Sequence, residues 1–137
     1  MARSKLVMKG GGLERLKKMA DALARKPYVR VGVMGSTAPR SGGPIDNVGL
    51  AVVHEFGVAA KNIPARPFLR STFDAKQKDW NSLLSRMALA VLRGKLTVEQ
   101  ALGLLGQRAA ADVKLRVTTG KNFVPNAPAT IRRKKSS

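Results

Sequence analysis

Cysteine is absent and histidine occurs once. The first absence excludes a disulfide framework and thiol chemistry. Together they leave too few soft ligands for a usual zinc site. Acidic residues are scarce, eight against 26 lysines and arginines. Those eight are scattered singly, so no close carboxylate pair is offered for acid–base work and no acidic cluster for a divalent cation. A Ser-His-Asp arrangement would have to use His54, and Glu55 beside it cannot face it from a helix. No catalytic residue, cofactor or metal is therefore expected, and an enzyme is a poor fit. Aromatic side chains number six. Phe56, Phe68, Phe73 and Trp80 fall on core-like positions, which leaves little for base stacking. No apolar run approaches the ~20 residues that span a bilayer. No apolar stretch follows the basic N-terminus as a secretory signal requires, so synthesis and use in a cytoplasm-like compartment is expected.

What the chain has in excess is positive charge, +18 over 137 residues. Such an excess calls for an anionic partner. Nucleic acid is the common answer, acidic neighbouring subunits the second, and a membrane surface the third.

Residues 1–12 are a basic arm (Arg3, Lys5, Lys9) ending in three glycines, with Lys5–Met8 able to form a short strand. From Leu13 the spacing of Leu13, Leu16, Ala20 and Leu23 makes one helical stripe, stopped by Pro27. The basic residues off that stripe are read as a solvated face rather than a DNA-contacting one. In Tyr28–Met34, Val29, Val31 and Val33 alternate with Tyr28, Arg30 and Gly32, the pattern of a strand. Gly35 to Gly43 is a flexible loop carrying Arg40. Asp46 or Asn47 can cap a short helix running to Phe56, where Gly57 supplies a stop. Gly49 and the β-branched valines leave a strand as the alternative.

Pro64 and Pro67 then stiffen a connector, and Pro67 suits the start of a helix. That helix extends to about Leu92, with Leu69, Phe73, Trp80, Leu84, Met87 and Val91 as its apolar stripe, and Gly94 ends it. Thr97 and Gln100 form a capping box that opens a helix to about Val117. Its apolar residues fall on two faces, the second through Leu104, Ala111 and Leu115, so it is expected to meet two neighbours. Residues 113–137 hold seven basic residues and no acid. With Pro125 and Pro128 they read as an extended basic arm over 119–137, either a solvated disordered tail or an arm that orders on assembly.

The stretch His54-Glu55-Phe56-Gly57 followed by Ile63-Pro64-Ala65-Arg66-Pro67-Phe68-Leu69-Arg70 and then Phe73-Asp74 resembles the tail-completion or neck proteins of tailed bacteriophages. Tyr28–Gly35 and Thr130-Ile131-Arg132-Arg133-Lys134 add weaker echoes, so the resemblance covers about residues 12–135. Such chains usually continue into a Thr-Gly-containing turn and a last strand, whereas this sequence stops at Ser137.

With the resemblance, the expected fold is α+β, and a helix rather than a strand is implied for the stretch running to Phe56. A small sheet with a central strand near 28–34 is packed by the N-terminal helix and two long C-terminal helices, in a single domain over 13–118. The resemblance implies a structural virion protein at the head–tail junction, made in the host cytoplasm. It implies a homo-hexameric ring (twelve-fold is the variant) around the DNA channel. Its neighbours would be head-closure or adaptor proteins and tail-terminator or tail-tube proteins. Interface residues are expected at Ile63, Pro64, Arg66, Pro67, Phe68 and Arg70. Contacts to DNA or acidic partners are expected at Arg40, Lys121, Arg132, Arg133, Lys134 and Lys135. A different class remains open, a stand-alone basic protein that binds nucleic acid without sequence preference. Duplex inside a ring ~35 Å tall carries roughly 20 phosphates. Six copies at +18 exceed that several-fold, so acidic proteins are expected to balance most of the charge.

Overall fold

A computed structural model describes residues 11–35, 45–120 and 123–135. Five α-helices account for most of it: α1 (Gly12–Ala24), α2 (Asn47–Phe56), α3 (Phe68–Leu92), α4 (Val98–Thr119) and α5 (Pro128–Lys135). A 3-10 turn, Ala59–Lys61, separates α2 from α3.

The expected α+β fold is not formed. Of the described residues, 70% are helical and 2% are in a β bridge, and they form no sheet. Among the described residues the β pairing is a lone antiparallel bridge, Val58 with Ile63, that closes the 3-10 turn. Residues 28–34 pair with no strand there. Alternation marks an extended segment with two unlike sides, but a strand also needs a partner to take its N–H and C=O groups. Here Val29 meets a helix instead. Val29 packs so closely on Gly106 of α4 that a Cβ at 106 would sit 2.7 Å from its methyl. The other short strand considered, Lys5–Met8, lies outside the described residues.

The chain divides into two compact units, Met1–Val31 with Gln77–Ala109, and Gly32–Lys76 with Ala110–Ser137. In the first, Val91, Ala101 and Ala109 are buried, and Trp80, Leu83 and Met87 are half-buried. α1 turns its expected stripe outward. Leu13, Leu16 and Leu23 are exposed, while Gly12, Met19 and Ala22 are half-buried. The Arg15 guanidinium reaches the Leu92 carbonyl at 3.4 Å, a cation placed at the C-terminal end of α3. Gly94 has φ 72. The amides of Gly94 and Lys95 donate to the carbonyls of Val91 and Ala90 at 2.9 and 2.8 Å, the paired bonds that close a helix on a left-handed residue.

The capping box at the start of α4 is made in both directions. The Thr97 amide donates to Gln100 Oε1 at 2.9 Å, and the Gln100 amide to Thr97 Oγ1 at 3.1 Å. Thr97→Ala is expected to destabilise the helix by about 1 kcal/mol, read as a shift in the urea midpoint; an unchanged midpoint contradicts it.

In the second unit Phe68, Thr72, Glu55 and Asp112 are buried. The expected stripe of α3 is displaced by one residue here, because Thr72 faces inward and Phe73 is exposed. The Thr72 hydroxyl donates to the Phe68 carbonyl at 2.6 Å, which lets a polar side chain occupy the inner face. In the stretch expected to be an extended arm, residues 123–127 have no regular structure and Pro128–Lys135 is a helix.

Candidate assembly site

The His54–Arg70 stretch is an elbow held by contacts among its own residues. Asp46 starts α2, its Oδ1 accepting from the Gly49 amide at 2.7 Å. Gly57 ends α2 with φ 71 and ψ 178. From there the backbone turns through the Val58–Ile63 bridge, whose two N–H···O distances are 2.9 and 3.0 Å. It then returns past its own helix end, and the Arg66 amide donates to the His54 carbonyl at 2.6 Å.

Glu55 is the centre of this arrangement. It is 7% exposed. Its Oε2 accepts from the Leu69 amide at 2.9 Å and its Oε1 from the Arg70 amide at 3.0 Å. These amides belong to the first turn of α3, which has no intrahelical acceptor for them. Phe68 starts that helix directly after Pro67, with no Ser, Thr, Asp or Asn at the usual capping position. A carboxylate from the preceding helix takes that role, and its charge suits the positive end of the helix dipole. The Arg70 guanidinium adds a looser ion pair to Glu55 at 3.7 Å, its own side chain 60% exposed.

The six expected interface residues separate into different roles. Phe68 is buried and Ile63 half-buried, so both anchor the elbow internally. Pro67 is half-buried, and its carbonyl accepts from the Ser71 amide at 3.1 Å. Pro64 lies on the surface. Arg66 is used within the chain. Its Nε donates to the Val124 carbonyl at 2.9 Å and its Nη2 to the Pro125 carbonyl at 3.2 Å, tying the segment before α5 to the connector. Arg70 stays at the surface, its guanidinium 5.4 Å from the Phe56 ring centre. Phe56, expected in the core, is 67% exposed, and Val52 one turn earlier on α2 is exposed too. The outer side of the elbow therefore carries Val52, Phe56, Pro64 and Arg70.

Beneath the elbow is a cavity of about 410 Å³, lined by Leu50, His54, Arg66, Phe68, Val117 and Phe123 among others. Its lining is apolar apart from Asn47, His54 and Arg66. Arg116 stabilises the same end of α4, donating from Nε to Ser71 Oγ at 3.1 Å and lying 5.7 Å from the Phe123 ring centre.

Of the expected DNA or acidic-partner contacts, Arg132 and Lys135 are exposed on α5. Arg40 and Lys121, and the side chains of Arg133 and Lys134, lie outside the described residues. The described helices include none long and apolar enough to cross a membrane. The described residues also bring together no group of three His, Cys, Asp or Glu side chains able to hold a metal ion.

Sequence reasoning overlooked Glu55 and the inward use of Arg66. The signal for Glu55 was indirect: a helix beginning after proline with no local cap needs an acceptor from elsewhere. No family model, curated protein or solved structure matches this chain.

Proposed function

We propose that this chain is a structural subunit of a tailed-phage particle, joining head and tail as a member of a ring around the DNA channel. It acts through protein–protein interfaces and makes or breaks no bonds. The observation that carries the reading is the amount of apolar surface left open. Four apolar residues are buried among the described ones, whereas nineteen large apolar side chains are exposed. Apolar surface on this scale belongs to subunits whose cores are completed by neighbours. Leu104 and Leu115, on the second face of α4, are among the exposed set, and an adjacent subunit would cover them. The elbow supports the same reading, because it is built to hold an angle. Its internal bonds fix the exit of α3 from α2 while Val52, Phe56, Pro64 and Arg70 remain free to touch another protein.

The ring would be six-fold by resemblance, with the head-closure and tail-terminator or tail-tube proteins above and below. Electron microscopy of the particle with an antibody to this chain tests the assignment. Label at the head–tail junction is the expected result. Label elsewhere on the particle, or none on it, overturns the reading. Binding to duplex DNA separates the other class. Weak binding without sequence preference is expected, since the chain carries charge without a motif that reads bases. A monomer that binds short duplexes tightly at ~150 mM salt favours the stand-alone nucleic-acid binder.

A further inference from the structure

The first unit carries two grooves along α1. One, of about 450 Å³, is apolar and is walled by Leu23 of α1, Leu84 and Leu92 of α3, and Val98 and Leu102 of α4. Three of its leucines are open to solvent, Leu23 at 58%, Leu84 at 40% and Leu92 at 55%, and Leu102 is half-buried. The other, of about 490 Å³, takes Arg15 and Lys18 from α1, Arg25 directly after it and Lys95 from the turn before α4, against Asp21 and Glu99. The two border one another across Met19, Val91 and Val98, which belong to both walls.

We propose that this paired groove docks an acidic amphipathic helix of another protein. Apolar side chains at i, i+3, i+4 and i+7 fill the first groove, and carboxylates on the helix flank meet Lys18, Arg25 and Lys95 in the second. Charge selects this occupant over the chain's own segments. Residues 1–13, 22–45 and 113–137 contain no acidic residue, so none of them offers a carboxylate flank. A second copy brings +18 against +18, and its α1 presents the same cations. Strand addition is not available here either, since the described residues form no sheet edge. A helix seated by its side chains is the recognition mode that remains. The proposal does not depend on the neck reading, and its test uses the isolated full-length chain.

The probes are three labelled synthetic peptides. The first is a helix with leucines at i, i+3, i+4 and i+7 and glutamates on its flanks. The second has lysines in place of the glutamates. The third has the composition of the first in scrambled order. Fluorescence anisotropy at ~150 mM salt is expected to show the glutamate helix binding at least about tenfold tighter than its scrambled form, with the lysine helix weaker still. Leu84→Gln with Leu92→Gln is expected to bring the glutamate helix down to the scrambled level, with helical circular dichroism retained because both side chains are exposed. Leu23→Gln, on a different helix, should lower affinity in the same direction if the double variant loses structure. Lys18→Glu with Lys95→Glu should weaken the glutamate helix and strengthen the lysine helix. Equal binding of the ordered and scrambled peptides reduces the effect to bulk charge and overturns the proposal. So does sedimentation showing that the wild-type chain self-associates and that the Leu23, Leu84 or Leu92 variants dissociate it, which assigns the groove to a second copy.

Discussion

Glu55→Ala is expected to destabilise the second unit by about 2–3 kcal/mol, an effect large for one side chain. Two amides in the first turn of α3 lose their acceptor. Hydrogen bonds to an ionised group contribute about 1.5–3 kcal/mol, and a lost helix cap about 1. Removing the carboxylate also removes its favourable placement at the helix N-terminus. The loss is local and can be read locally. Amide exchange at Leu69 and Arg70 should accelerate by about ten- to a hundredfold, since each 1.4 kcal/mol of opening free energy is a factor of ten. Glu55→Gln keeps one carbonyl oxygen and turns an NH₂ group toward the other amide, so it should restore less than half of the lost stability. Arg70→Ala provides the contrast. Its ion pair is 3.7 Å long and its side chain largely solvated, so the change should stay under about 0.5 kcal/mol. If Arg70→Ala matches Glu55→Ala, the ion pair holds the elbow and the capping account is wrong.

The difference between those two residues bears on what could be read from the sequence. Features whose determinants lie within a few residues were legible. Asp46 capping α2, Gly57 ending it, Gly94 ending α3 and the Thr97–Gln100 box all rest on bonds spanning three to five residues. Features that depend on what comes to lie opposite were not. The alternation of Val29, Val31 and Val33 correctly marks an extended segment, but the contact that Val29 makes is with Gly106, more than seventy residues away. A sheet was inferred where a helix supplied the contact. The α3 stripe was displaced near its start because Thr72 meets its hydroxyl's needs on its own helix and can be buried where Phe73 was expected. Arg66 and Arg70 look alike in sequence, four residues apart. Only the position of Val124 and Pro125 decides that Arg66 turns inward.

Gly57→Ala is expected to have the larger effect of the two elbow substitutions, about 3 kcal/mol or more. Gly57 combines φ 71 with ψ 178, a region that is essentially closed to residues with a side chain and costs of order 1–3 kcal/mol to enforce. Space adds to conformation. A Cβ there would lie 2.7 Å from the Ala65 nitrogen and the Ile63 oxygen, and 3.1 Å from the Pro64 carbonyl carbon. All three are backbone atoms of the returning connector, so no flexible side chain can move aside. Relief requires the connector to lift away, and that breaks the Arg66 amide bond to His54 and draws Leu69 and Arg70 off Glu55. Gly94→Ala is the control. It has nearly the same φ, 72, but its added Cβ would meet the guanidinium end of Arg15, with 2.6 Å to Nη1. That end can rotate away, so the cost should be nearer the ~1–2 kcal/mol of a left-handed alanine. The comparison is made by urea unfolding of both full-length variants, with exchange at the Leu69 and Arg70 amides as the local readout. Fast exchange there in Gly57→Ala and slow exchange in Gly94→Ala is the expected pattern. Equal shifts of both midpoints, with the Leu69 and Arg70 amides still protected in Gly57→Ala, would mean that the connector adds nothing to the conformational cost and that the elbow is not the rigid element on which the two helices depend.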